Sequence, residues 1–226
     1  MLMDQKREPD INFGKTWDKH LQRIWNMRIS YPDSDILLMD DDVKSAFRHC
    51  KYHPDVAAAF AFIITNILFV PVGGTFGSTT SPANFEPYAA ARTFLAKKLS
   101  RQYDLADKHK DLLSKVQFCE APPPGTKFAQ AVKDDHNQGV FDKNGNTFTD
   151  YNMFVDDNLF CEIPENMPVA MAASVEALYL IFGFPSPEER ENGLSLEKYF
   201  ASICSFLRGQ LGKEINTRAM LVGLTP

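Results

Sequence analysis

The sequence predicts an α+β protein, with an antiparallel sheet and helices packed on one face of it. Three observations carry this. Strand-like and helix-like segments are mixed along the chain and do not strictly alternate. The strand candidates are short runs of β-branched and aromatic residues, as in AFAFIITNILFV (59–70). Asn144-Gly145 is a tight-hairpin signal that leads directly into another such run, YNMFVDDNLFCEI (151–163).

The elements follow in order. TWDKHLQRIWNMRI (16–29) spaces Trp17, Leu21 and Ile24/Trp25 at helical intervals and reads as a short amphipathic helix. YPDSD (31–35) breaks it, and ILLM (36–39) reads as a buried strand that runs into Asp40, Asp41 and Asp42. A short turn or helix comes next, then extended chain over about 59–70 with a turn near Asn66. PVGGTFGSTTSPANFEP (71–87) is a loop that ends at Ser81-Pro82, a helix start with Ser as cap and Pro in the first turn. That helix is expected from Pro82 to about Ser100, with a second, charged helix over about 101–117. APPPGTK (121–127) is linker-like. After the 151–163 run come a helix over 166–183, a Pro-rich break, a helix over SLEKYFASICSFLRGQLG (195–212) and a closing strand pair. No internal repeat is visible.

Composition bounds the function classes. A chain of 226 residues can bury one good core, or a small core with an appendage. No apolar run reaches the roughly 20 residues of a membrane helix, so a membrane partner is not expected. The start of the sequence has mixed charge and no apolar signal core. Cys50, Cys119, Cys161 and Cys204 are scattered singly, which argues against a Cys-based zinc site and predicts free thiols in an intracellular protein. The net charge of −5 argues against strong autonomous binding of nucleic acid, which calls for a basic surface.

The informative residues are Asp156 and Asp157, two adjacent acids inside an apolar run. Neighbouring side chains of a straight strand face opposite ways, so one acid would enter the core. A hairpin tip removes that conflict, since Asp and Asn tolerate turn geometry. An acidic turn in water, a salt bridge and a metal site all satisfy this pattern. A second strand, ILLM, also delivers acids at its end, and two such strands suit a divalent cation with oxygen ligands. DKNGNTFTD (142–150) is not a calcium loop, because its glycine stands at the fourth position and no glutamate closes it.

Three blocks in order, DVKSAFRHCKYHPD (42–55), TFGSTTSPANF (75–85) and FVDD (154–157), resemble the palm motifs of reverse transcriptases, closest to those of retroelements. The resemblance spans about 36–215. It implies a right-hand polymerase palm over 36–226, an N-terminal partial fingers segment over 1–35, and an inserted or expanded segment at about 101–148. It implies an RNA-directed DNA polymerase that adds deoxynucleotides to a primer 3′-end with two Mg²⁺ ions, or Mn²⁺ in their place. Its partners would be an RNA or DNA template with primer, and deoxynucleoside triphosphates. Asp42, Asp156 and Asp157 would be the catalytic and metal-holding acids, with the Val43 carbonyl as a further ligand. Phe47 would crowd the sugar 2′-position, Gly77 would let the backbone approach template and nucleotide, and Lys198 would protonate pyrophosphate. QLGKEINTRAMLVGL (210–224) resembles the hairpin that grips the primer end. No counterpart of a thumb or RNase H domain is recognised, which implies a piece of a retroelement polyprotein.

Plainer roles stand beside these. Phe47 is also a natural core residue, Gly77 a natural loop glycine, and Lys198 a natural solvated helix lysine. His53-Pro54 sets a turn, and Asp40 and Asp41 are accessory; an acid directly before Asp42 departs from the family, which has an apolar residue there. The family's phosphate-binding Lys/Arg pair is not located, Lys6 and Arg7 being too near the start. Two rival functions remain: a catalytically inactive, retroelement-derived interaction module, and another palm-type nucleotidyl enzyme such as a cyclase, which the Gly77–Phe85 block disfavours.

Overall fold

A computed structural model describes residues 13–102, 104–128, 149–185 and 193–225. Its centre is a three-stranded antiparallel sheet in the order β1-β6-β5. These strands are β1 (Leu37–Asp42), β5 (Tyr151–Phe154) and β6 (Asp157–Glu162). The register pairs Leu38 with Cys161, Met39 with Phe160 and Asp42 with Asp157. Strand alternation divides the core in two. Leu37, Met39 and Phe160 join one cluster with Phe85, Ala89 and Met171. Ile36, Leu38, Cys161 and Ile163 join another with Ile24, Met27 and Ile215.

Both faces of the sheet are therefore covered, which corrects the expectation of helices on one face only. On the first lie α4 (Ser81–Leu99) and α7 (Met167–Phe182), packed against each other. The cause is visible in α7: MPVAMAASVEALYLIF is apolar nearly all round, so it is buried nearly all round. On the second face lie α1 (Thr16–Ser30) and a second three-stranded sheet, β10-β9-β8. It is formed by β8 (Leu207–Gln210), β9 (Lys213–Asn216) and β10 (Leu221–Leu224).

The buried stripe of α1 is Thr16, His20, Ile24 and Met27, one position round the helix from the expected one. Trp17 and Leu21 flank it, and Trp25 is 55% exposed. The shift arises because polar residues of this stripe have partners. Thr16 Oγ1 donates to the Met153 carbonyl at 2.6 Å, and His20 Nε2 lies 2.9 Å from Gln210 Oε1.

The chain between β1 and α4 forms α2 (Ala46–His49), α3 (Pro54–Ala59) and the hairpin β2 (Phe62–Ile64) and β3 (Ile67–Phe69). Thr65 and Asn66 make its turn, both at positive φ, as a two-residue hairpin turn requires. Ile63 is 70% and Leu68 62% exposed, so this hairpin contributes little to the core.

Three expected helices change. The 101–117 segment forms two single turns, α5 (Leu105–Lys108) and α6 (Lys110–Leu113), and then β4 (Gln117–Phe118). The 195–212 helix stops after α8 (Leu196–Ala201); the rest enters β7 (Ile203–Cys204) and β8. Pairing outweighs helix propensity there, since β7 pairs with β4 and β8 with β9. Ser81 is the first helical residue of α4, not its cap: its hydroxyl donates to the Thr75 carbonyl at 2.9 Å. The Asn144-Gly145 signal lies outside the described residues, as do residue 103 and residues 129–148 of the expected 101–148 insertion. No helix among the described residues is long and apolar enough to cross a membrane.

Burial holds His20 neutral, lowering its pKa from 6.5 to about 4. The unfolded chain takes up a proton in that interval and the folded chain does not, so stability falls as pH drops from 6.5 toward 4. The loss is up to roughly 3 kcal/mol. Urea unfolding at pH 7 and pH 4.5 checks this, and His20→Gln is expected to flatten the dependence.

Candidate active site

The three acids singled out in the sequence meet at one end of the central sheet. β5 and β6 form a hairpin whose turn is Val155 and Asp156. Val155 has φ +57°, a strained conformation for a β-branched residue. Asp157 opens β6 and stands directly opposite Asp42, the last residue of β1. Such cross-strand partners have Cβ atoms about 5 Å apart, and like charges there repel. The Val43 N–H donates to the Asp156 carbonyl at 3.1 Å and ties the end of β1 to the hairpin tip.

β1 carries Asp40, Asp41 and Asp42 in succession, and the structure treats each differently. Asp40 is held by Arg208 Nε, with Gln210 Nε2 at 3.4 Å. Asp41 points to the opposite face, where it is fully buried on Arg92 of α4. Ser174 Oγ of α7 donates to Asp41 Oδ2 at 2.6 Å, Arg92 Nη2 donates to Ser174 Oγ at 3.0 Å, and Asn158 Nδ2 donates to Ser174 Oγ at 2.8 Å. Among the described residues no arginine pairs with Asp42. Its Oδ2 meets Lys198 Nζ of α8 at 3.0 Å, and that lysine side chain is 66% exposed.

The result is a concentrated negative charge with the solvated Lys198 as its counter-ion among the described residues. Burial, then the charges of Asp156 and Asp42, push the Asp157 carboxyl up from 3.8 to about 6. Burial also raises Asp42 above the ordinary carboxylate range, against the pull of Lys198. The hydrogen bond to Asp42 raises Lys198 in turn.

The donor set suits a hard divalent cation. Asp42 Oδ1 is buried without a hydrogen-bond partner, a costly state that a cation would relieve. Asp156 and Asp157 make no side-chain hydrogen bond among the described residues, which leaves their oxygens free. Among those residues no three His, Cys, Asp or Glu side chains already converge on one point. Lys198 holds the outer oxygen of Asp42 instead.

The other predicted residues surround this end of the sheet. Phe47 of α2 is half-buried, edge-on to Phe76 at 5.4 Å and to Phe85 at 6.2 Å. Gly77 has φ +86° and open space where a side chain would stand, so its role in the fold is conformational. Within the chain itself, close backbone approaches lie at Gly73 and Gly74. A Cβ on Gly73 would stand 2.6 Å from the Arg48 carbonyl oxygen, and one on Gly74 2.6 Å from that of Phe47. The Gly74 N–H donates to the Cys50 carbonyl at 2.9 Å, so the 71–77 strap lies on the backbone of α2. Lys6 and Arg7 lie outside the described residues.

Sequence reasoning missed Gly73, Gly74, Arg92, Ser174 and Asn158. Arg92 sits in an Ala-rich helix where an arginine reads as surface, yet it is 1% exposed. The available signal was Asp41, an acid inside a buried strand, which requires a cation across the core. No protein-family profile, curated protein or solved structure matches this chain.

Two outcomes are expected from these contacts. Asp157 is charged in the folded state only above about pH 6, and that charge destabilises the fold there and not below 3.8. Asp157→Asn is therefore more stable than wild type at pH 7.5, and the gain vanishes toward pH 4; thermal melts at both pH values test this. Gly74→Ala displaces backbone and costs about 1–3 kcal/mol, whereas Gly77→Ala costs about 1 kcal/mol for its strained φ. Urea midpoints of the two variants measure the order.

Proposed function

We propose that this chain carries the palm of a retroelement-type reverse transcriptase and adds deoxynucleotides to a primer 3′-end. The supporting observation is the pairing of Asp42 with Asp157 beside the Asp156 turn, which gathers the acids of two separate motifs at one sheet end. In the reaction the primer 3′-oxygen attacks the α-phosphorus of the incoming nucleotide, a new P–O bond forms, and pyrophosphate leaves.

Asp42, through the bare Oδ1, and Asp156 and Asp157 would hold the divalent ions, with the Val43 carbonyl beside them. Two Mg²⁺ ions, or Mn²⁺, supply there a more acidic 3′-hydroxyl and neutralisation of charge on the leaving pyrophosphate. The chain's own residues do the rest. Lys198, on the outer oxygen of Asp42, carries an ammonium proton that it would give to the leaving pyrophosphate. Phe47, braced by Phe76 and Phe85, forms a rigid wall for the sugar. Gly73 and Gly74 keep the strap close to that wall.

A second reading, an inactive interaction module, is favoured by one feature: the apolar hairpin β2–β3 exposes nearly all of its side chains. Primer extension decides between them. Folded protein is given an RNA template, a DNA primer, deoxynucleotides, and Mg²⁺ or Mn²⁺. Extension is expected from wild type, with a loss of at least about 100-fold in Asp156→Asn. Phe47→Ala is expected to admit ribonucleotides more readily. Folded wild type that extends nothing with either ion would favour the interaction module, and cyclic product from nucleotide alone would sink the polymerase.

A further inference from the structure

We infer that Arg92 is a positioning residue for the acidic site, acting through Asp41, Ser174 and Asn158; the inference rests on the divalent-cation reading of that site. The four side chains come from four elements. Asp41 belongs to β1 and Asn158 to β6, and they pair across the ladder one step inside Asp42 and Asp157. Arg92 comes from α4 and Ser174 from α7, the two helices that cover this face. All four are at most 3% exposed.

The bonds run from the helices to the strand residues beside the acids. Arg92 Nη2 binds Asp41 Oδ1 and Ser174 Oγ, and Ser174 Oγ donates to Asp41 Oδ2. Asn158 Nδ2 donates to Ser174 Oγ at 2.8 Å and contacts Asp41 Oδ2 at 3.4 Å. Arg92 Nη1 also reaches Met153 Sδ on β5 at 3.7 Å. One guanidinium thus connects to all three strands of the sheet, through Asp41, Asn158 by way of Ser174, and Met153.

Stability alone does not explain this arrangement. A buried ion pair can often be exchanged for apolar residues of similar volume without loss, and a partly satisfied network is worse than an apolar core. Here Arg92 Nε and Asn158 Oδ1 are buried without partners. What a polar network supplies, and apolar packing does not, is directional geometry. Directional bonds one residue away from Asp42 and Asp157 fix the ends of β1 and β6 against shear. The carboxylates then keep the separation that a shared cation needs.

The test uses two double variants of the full chain and direct Mn²⁺ titration, read by the electron paramagnetic resonance of free Mn²⁺, with circular dichroism as the check of folding. Arg92→Met with Asp41→Leu keeps volume and removes the directional bonds. Arg92→Gln with Asp41→Asn removes both charges and keeps hydrogen-bonding groups. The apolar pair is expected to bind Mn²⁺ about tenfold more weakly than wild type, and the amide pair within about twofold of it. A folded apolar pair with wild-type affinity would overturn the inference, because packing alone would then suffice. An amide pair about tenfold weaker would also overturn it, and this arm decides if the apolar pair does not fold. Wild type that binds no Mn²⁺ would remove the cation reading itself, and the inference with it.

Discussion

Three consecutive carboxylates in one buried strand are the constraint around which this molecule is arranged. A strand residue of this kind cannot be left charged and unpartnered in a core. Strand alternation sends Asp40 and Asp42 one way and Asp41 the other. The pairing of Asp41 with Arg92 requires α4 to cross the sheet where its arginine can reach the strand, and it requires α7 to bring Ser174 alongside. The pairing of Asp40 with Arg208 places β8 on the opposite face. The two helices and the second sheet thus sit where the acids need cations and donors, while the apolar clusters fill the space around them. Among the described residues, Asp42 is met by a solvated lysine instead.

That inequality separates structural from chemical carboxylates within a single strand. An acid clamped by an arginine in the core is fixed in place and has no free oxygen to offer. An acid opposite another acid, next to a third, is held at a cost that a cation would relieve. Lys198 provides a charge that can leave, because its stem is exposed and its hold on Asp42 is a single contact.

Much of this was legible in the sequence. Helices α1, α4 and α7, strand β1, the turn at Asn66 and the acid-bearing hairpin all follow from periodicity and turn residues. The meeting of Asp42 with Asp157 was suggested by motif order and drawn only by the register of β1 on β6. What was not legible depends on contacts between distant segments. Arg92 gives no local sign of burial, because its partner lies in another strand. Gly73 and Gly74 look like any loop glycines until α2 lies beneath them. The 195–212 segment has helical residues, and its second half becomes strand because β4 and β9 offer it ladders. Helices on both faces were missed because β1 is apolar on both sides only when Ile36–Met39 is read as two alternating sets.

The exposed hairpin has a consequence in time. Phe62–Phe69 closes over a two-residue turn, and hairpins of this kind form in roughly microseconds. The pairing of Leu37 with Glu162 closes a loop that spans more than half of the chain, and such long-range closure is slow. Between these events the chain carries a finished apolar ribbon with free edges and an unfinished core. No charged side chain lies between Asp55 and Glu86 to keep two such ribbons apart. Refolding yield is therefore a contest between a first-order closure and a second-order encounter, won by dilution.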